Sequence, residues 1–356
     1  MMSSDNGAPG FQITVKPSDR SFTSNPGETL LAAAIRQGIG MPYGCKDGAC
    51  GSCKCQKLEG SVTHGPHQSK ALSDDEKARG LVLTCCAVAQ SNVVLESRQV
   101  TSEGAFPIKK MPTRVSTMEK KSADVMLLKL QLPAGEPFAY HAGQYVEFML
   151  RDGARRSYSM ANAPHTQTTN GGLELHVRHM PGGLFTDHVF GAMKEKEILR
   201  IEGPYGGFYL REDSIKPIVL LASGTGFAPI KALIEQLQFK GSTRPVTLYW
   251  GGRRPADLYM DAWVKAQQES MPTLRYVPVV SDALPEDGWT GRTGFVHQAV
   301  LQDLPDLSGH QVYACGAPIV VDSAQTAYTQ AGLPSDEFYA DSFITEADKA
   351  GELAPA

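Results

Sequence analysis

Tyr43-Gly-Cys-Lys-Asp-Gly-Ala-Cys-Gly-Ser-Cys53 sets Cys45, Cys50 and Cys53 in the order C-x4-C-x2-C, and Cys85 follows after 31 further residues. Four thiolates at this plant-type spacing can hold two irons and two sulfides. A 2Fe–2S centre of that kind carries one electron at a time. Gly44, Gly48 and Gly51 suit a short loop that wraps the centre with its amides turned inward. Zinc is the other reading of four cysteines, but structural zinc sites usually draw on two short Cys pairs. Only Cys50 and Cys53 form a C-x2-C pair here.

The rest of the chain must supply something for such a centre to work with. Its 356 residues suggest two or three domains, each large enough to bury a core. Hydrophobic residues make up 42% and charged residues 20%, an ordinary globular balance. A net charge of −4 without a basic run argues against nucleic acid. Met1 to Gly10 lacks the apolar core of a signal peptide. With no run of 18 apolar residues, no membrane span is expected. Six of the seven cysteines crowd between positions 45 and 86, which favours metal ligation over disulfides and a cytoplasmic setting.

Three patterned stretches follow one another. From Phe11 to Val100, Phe11-Gln-Ile-Thr-Val-Lys16 alternates like a strand, Glu28 to Gln37 reads as a short helix, and Val93 to Glu96 as a closing strand. Residues 101–112 carry the glycine, prolines and charges of a linker. Residues 113–213 hold short alternating strands, such as Val125 to Leu132, Gln144 to Leu150 and Leu173 to Arg178, which indicate a sandwich or barrel. Residues 214–343 change character. Pro217 to Ser223 is continuously apolar, and strands then alternate with helices as far as Gln330, which implies a parallel sheet covered on both faces. Residues 344–356 read as a tail.

Four local motifs carry candidate chemistry. Arg155-Arg156-Ser157-Tyr158-Ser159 offers a guanidinium fork, a flat ring and hydroxyls, though an arginine and a tyrosine on one strand face are commonly just a solvated surface. Pro181-Gly182-Gly183-Leu184-Phe185-Thr186 is a turn before a short helix, suited to a pyrophosphate or to nothing more than turning. Ser223-Gly224-Thr225-Gly226-Phe227-Ala228-Pro229 lies between a strand and a helix. Its two glycines would let a phosphate approach the helix N-terminus, and the motif alone is balanced between a nucleotide site and an ordinary turn. Cys315 and Gly316 end a strand at the edge where such sheets bind ligands, although a buried free cysteine is the commoner meaning.

In this order and at these spacings, the cysteine loop, R-S-Y-S, P-G-G, G-T-G-F-A-P and Tyr313-Ala-Cys-Gly316 resemble the ferredoxin–NADP reductase superfamily with a plant-type ferredoxin fused at the N-terminus. The resemblance spans about Phe11 to Phe343. It implies a β-grasp ferredoxin domain (11–100), an antiparallel FAD-binding barrel (113–213) and a doubly wound NAD(P)-binding domain (214–343). By that resemblance Arg156, Tyr158 and Ser159 hold the flavin, and Gly182, Gly183 and Thr186 hold its pyrophosphate. Gly224, Thr225, Gly226 and Pro229 bind the nicotinamide nucleotide. Cys315 and Gly316 sit beside the nicotinamide, with Cys315 and Ser159 as the catalytic pair, and Phe343 shields the flavin ring. The family pattern L-x-C makes Cys85, not the adjacent Cys86, the fourth cluster ligand.

The segments Tyr43–Cys53 and Leu83-Thr-Cys-Cys-Ala-Val88 look most similar to CDP-6-deoxy-Δ3,4-glucoseen reductases, and next to reductase components of Rieske or di-iron oxygenases. The resemblance implies hydride transfer from NADH to FAD, then single electrons through the cluster to an electron-accepting protein, an iron–sulfur dehydrase or an oxygenase component. A carrier or redox sensor that keeps only the scaffold is the alternative of another class. Arg253 and Arg254 precede Asp257, so charge alone admits NADPH while the resemblance favours NADH. Cys55 and Cys86 are extra to the cluster, and His64 and His67 are expected to be surface histidines.

Overall fold

A computed structural model describes residues 10–100, 105–135, 138–169, 171–345, 348 and 349. Two compact units divide them. One holds the described residues up to Phe106 and those from Ile344 onward, and the other runs from Pro107 to Phe343.

The first unit is a five-stranded sheet in the order Arg20–Ser24, Phe11–Lys16, Val93–Glu96, Lys54–Glu59, Leu81–Leu83. Phe11–Lys16 and Val93–Glu96 run parallel and the other pairs antiparallel. Helix Leu30–Arg36 buries Leu30, Leu31, Ala33 and Ala34, giving a β-grasp. The helix starts two residues later than its apolar pattern suggests. Thr29, in an extended conformation, caps it by accepting from the Ala32 amide at 3.3 Å. Glu28 turns to Arg36 at 2.8 Å instead. Cys45 to Cys53 forms neither strand nor helix, which leaves its amides for sulfur. The stretch expected as a tail contributes here too. Lys349 Nζ lies 2.6 Å from Asp47 Oδ2 in the cysteine loop, and Gln68 Nε2 donates to the Asp348 carbonyl at 3.0 Å.

The second unit opens with a six-stranded antiparallel sheet in the order Arg155–Ser159, Tyr145–Met149, Ile198–Tyr205, Lys109–Lys120, Val125–Gln131, Leu173–Arg178. A bridge from Met160 to Leu175 joins its two ends and closes a barrel. Strand Lys109–Lys120 starts inside the stretch read as linker. Met111, Thr113 and Val115 alternate inward, and that periodicity outweighs the prolines and lysines around them.

The remainder is a fully parallel sheet in the order Arg292–Thr293, Leu274–Val280, Val246–Gly252, Ile218–Ser223, Gln311–Gly316, Phe338–Ser342. Both faces are apolar. Phe227, Leu233 and Trp250 belong to the core on one side, and Tyr249, Val300 and Tyr328 to the core on the other. Two strands escape a reading of the sequence. Arg292–Thr293 is too short to show a period, and Phe338–Ser342 interrupts its apolar run with Asp341. That last strand places Asp341 beside Cys315 in register.

Candidate redox and nucleotide sites

The cysteine loop gathers its thiols into two pairs. Cys45 and Cys50 exchange amide-to-sulfur bonds, each 3.3 Å, and the Ser52 amide also donates to Cys50 Sγ at 3.4 Å. Cys53 Sγ lies 3.3 Å from Cys85 Sγ, and the Cys45 thiol also interacts with that of Cys85. None of the four is in a disulfide. Sulfur bonds to Cys50 and Cys85 hold the Cys45 thiol far below its ordinary range. Two pairs of thiols, wrapped by backbone amides, fit a 2Fe–2S centre. Cys86 Sγ lies 3.6 Å from Cys85 Sγ, while Cys55 is buried and its thiol pushed up to about 12 by desolvation. His67 corrects an expectation: it is 3% exposed, with Nδ1 against the Gly65 carbonyl at 2.8 Å, and is no surface histidine.

On the barrel, Arg156 and Tyr158 share one face of strand Arg155–Ser159. Arg156 gives one of its five N–H groups to the Arg155 carbonyl, and Arg155 itself bridges Glu147 and Glu202. The Tyr158 ring packs on Phe185 (5.2 Å) and Phe148 (5.7 Å), and burial keeps its hydroxyl protonated. Phe185 belongs to helix Leu184–Phe190, so the P-G-G turn and the R-S-Y-S strand meet. A flat ring, a fork and a protonated hydroxyl fit a flavin dinucleotide. The turn is bonded internally. Thr186 Oγ1 donates to the Met180 carbonyl at 2.8 Å and accepts the Met180 amide at 3.2 Å. Asp187 takes the Gly182 amide at 3.0 Å. Thr186 shapes the turn, while Gly183 leads into the helix as its cap.

The glycine turn and the Cys-Gly pair lock together. A Cβ on Gly226 would stand 2.2 Å from the Cys315 carbonyl, and one on Gly316, at φ +131°, would stand 2.2 Å from Ser223 Oγ. Neither position admits another residue. Thr225 is buried in the turn, and Pro229 lies in the first turn of helix Phe227–Phe239. Asp341 Oδ2 accepts from Ser159 Oγ at 3.1 Å and faces Cys315 Sγ at 3.9 Å. The serine of barrel strand Arg155–Ser159 and the cysteine of the parallel sheet therefore converge on one buried carboxylate. Burial and Asp341 hold the Cys315 thiol well above its ordinary range, so it stays protonated. Phe343 is half-buried, and its amide donates to the Gly316 carbonyl at 2.9 Å, which puts an aromatic ring directly after the same junction.

Three family matches run along the chain: a 2Fe-2S iron-sulfur cluster binding domain over 13–90, an oxidoreductase FAD-binding domain over 112–209, and an oxidoreductase NAD-binding domain over 220–326. The CDP-6-deoxy-L-threo-D-glycero-4-hexulose-3-dehydrase reductase of Yersinia pseudotuberculosis is 40% identical across 94% of this chain and 98% of its own. The chain belongs to the ferredoxin–NADP reductase superfamily, in the group with a plant-type ferredoxin domain. This reductase is an NAD(P)H-dependent iron–sulfur flavoprotein that uses a 2Fe–2S cluster, FAD and a nicotinamide nucleotide. Reductase component 1 of a Comamonas terephthalate 1,2-dioxygenase is 36% identical over 94% of this chain and 97% of its own. Among solved structures, an Amycolatopsis cytochrome P450 reductase superposes with a TM-score of 0.74 at 34% identity, covering 94% of this chain and 98% of that one. Among the described residues of the reductase, no helix is long and apolar enough to cross a membrane.

Sequence reading missed two buried polar centres of the reductase. Asp341 is one; a lone acid in a C-terminal strand, two residues before Phe343, was its only signal. The other is a buried charge cluster on barrel strand Leu173–Arg178 and helix Phe227–Phe239. Lys231, 3% exposed, lies 3.1 Å from Glu174 and 2.5 Å from Glu235. His176 bonds Glu174 at 3.1 Å through Nε2 and the Tyr259 hydroxyl at 2.8 Å through Nδ1. Lys231 sits three positions after Ala228 in an otherwise apolar stripe, and only its chemistry hints at a buried partner.

The cluster sets a pH dependence. Burial alone would raise the Glu174 carboxyl, but the His176 bond and the Lys231 charge bring it down to about 2. Burial pushes His176 below its ordinary range, so it is neutral when folded. In both cases the unfolded chain binds the proton more readily, so stability falls as pH falls. The His176 contribution is lost first, below about 6.5, and that of Glu174 below about 4.5. Melting followed by FAD release should therefore drop from pH 7 to pH 5 in the wild type. A His176→Gln variant should show a flatter profile across that interval; an equally steep one would remove His176 from the account.

Proposed function

We propose that this reductase is the electron-entry component of a two-protein system, serving an iron–sulfur dehydrase that acts on a nucleotide-linked deoxysugar. The convergence of Ser159 and Cys315 on Asp341 carries the reading, because it joins the flavin strand to the nucleotide sheet at one point. When bound, FAD takes two electrons as a hydride from the nicotinamide and a 2Fe–2S centre carries them singly. Arg156 and Tyr158 hold the flavin dinucleotide, with Gly182 and Gly183 near its pyrophosphate. Gly224, Thr225, Gly226 and Pro229 receive the nicotinamide nucleotide. Cys315 and Gly316 support its ring, Ser159 faces the flavin, and Phe343 covers the same place. Asp341 positions the hydroxyl and the thiol. Cys45, Cys50, Cys53 and Cys85 ligate the cluster. The 40% identity to a hexulose-dehydrase reductase supports the deoxysugar partner. The likeness to a dioxygenase reductase component supports the second reading, an oxygenase partner. A cytoplasmic setting would keep the seven cysteines reduced.

The nucleotide preference follows from the loop after strand Val246–Gly252. Arg254 is forked to Asp287 at 2.8 and 2.9 Å, so it is not open to a 2′-phosphate. Asp257 caps the amides of Arg253 and Arg254. Arg253 is 79% exposed, but Asp282 stands 3.6 Å away. Three carboxylates against two guanidiniums disfavour an added phosphate. NADH should therefore exceed NADPH in kcat/KM by about tenfold or more, and Asp287→Ala should narrow the gap by releasing Arg254. Initial rates with both nucleotides decide it; a clear preference for NADPH would overturn the assignment.

The overall reading is tested by mixing NADH anaerobically with the holoenzyme, then adding a candidate dehydrase or a Rieske oxygenase. Rapid flavin bleaching followed by acceptor reduction is expected. A flavin that NADH cannot bleach would mark a carrier or sensor instead.

A further inference from the structure

Trp250, near the end of strand Val246–Gly252, is fully buried. Its indole carries one donor and no acceptor, so burial obliges the N–H to find a partner. That partner is the carbonyl of Gly224 at 3.1 Å, the first residue of the glycine turn. The ring lies flat on Phe227, at 4.0 Å and 13°, the residue with which the following helix begins. Tyr259 meets Trp250 edge-on at 5.3 Å, and its hydroxyl is bonded to His176 of the barrel. The indole is thus held on both sides.

The consequence lies in the peptide plane. The Gly224 carbonyl and the Thr225 amide belong to one planar trans unit, so they point in opposite directions. Fixing the carbonyl on Trp250 fixes the Thr225 N–H away from it. The Gly224 carbonyl also accepts the Phe227 amide, and the indole bond adds a second hold on a residue whose φ of +52° is one that glycine enters and leaves freely.

We propose that Trp250 is a positioning residue for the nicotinamide nucleotide: its indole N–H pins the Gly224 carbonyl and so aims the Thr225 amide at the pyrophosphate. The proposal rests on the reading of this turn as the nucleotide site. Trp250→Phe keeps a ring on Phe227 and deletes the N–H. With oxidised holoenzyme, the Kd for NAD+ should rise about three- to tenfold, as loss of one hydrogen bond implies. The KM for NADH should rise in step, while flavin reduction at saturating NADH stays within about twofold of wild type. Phe227→Leu thins the stack but leaves the indole bond. It should lower the melting temperature and hold NAD+ affinity within about twofold. Gly226→Ala, which drives a Cβ into the Cys315 carbonyl, should abolish NAD+ binding. Unchanged NAD+ affinity in Trp250→Phe alongside loss in Gly226→Ala would overturn the role of Trp250 alone. An equal loss in Phe227→Leu would reduce that role to packing. Unchanged affinity in all three would remove the nucleotide from this turn and the proposal with it.

Discussion

A Cys50→Ser variant is expected to lose its visible iron–sulfur absorbance and its bound iron and sulfide, yet still pass electrons from NADH to ferricyanide. Cys50 Sγ sits at the centre of the loop, accepting amides from Cys45 and Ser52. Three thiolates cannot complete the tetrahedra around both irons. The residues from Pro107 to Phe343 form a unit of their own, so the flavin and nucleotide sites should persist. Ferricyanide can accept electrons directly from flavin, whereas a protein acceptor or cytochrome c should be starved. The fall should exceed the roughly 10- to 100-fold that loss of a metal's outer partner costs. Cys86→Ser is the matched control. Its sulfur lies 3.6 Å from Cys85 Sγ but outside the C-x4-C-x2-C and L-x-C pattern, so iron content and acceptor reduction should stay near wild type. If Cys50→Ser reduced its acceptor at the wild-type rate, electrons would be leaving from the flavin, and the cluster would have no part in the pathway.

The cysteine loop was legible because its pattern is local: three of the four gathered thiols fall within nine residues. The apolar strands Ile218–Ser223 and Leu274–Val280 were legible for a similar reason, since burial on both faces leaves an unbroken run. What stayed hidden depends on pairing across long separations. Asp341 gains its meaning only from Ser159, 182 positions away, and from Cys315 in register on the neighbouring strand. Lys231 looks like a surface lysine on its helix until Glu174 arrives from the barrel. Thr186 shows what a motif leaves out. The motif assigns its hydroxyl to a ligand, while the fold engages it with Met180. Short motifs locate a turn; they do not say which of its donors are already taken.

Cys315→Ala is expected to keep FAD, cluster and fold but to slow flavin reduction by NADH roughly 10- to 100-fold, the scale of a misplaced reactant. The thiol is 1% exposed and ends strand Gln311–Gly316. Gly316 follows it with a φ of +131°, and Phe343 closes behind through its bond to the Gly316 carbonyl. Deleting Sγ opens a gap where the nicotinamide ring would press, and removes the thiol from beside Asp341. Cys315→Ser should recover part of the rate, because a hydroxyl can donate to Asp341 as the thiol does. Asp341→Asn should slow the step with both side chains still present, by loosening Ser159 and Cys315 together. Because the thiol stays protonated far above its ordinary range, the ratio of wild-type to Cys315→Ala rates should be flat between about pH 6 and 9. Stopped-flow reduction of Cys315→Ala at the wild-type rate would return this cysteine to the sheet's apolar core. A ratio that climbs with pH would instead show a thiolate at work, which the buried carboxylate beside it forbids.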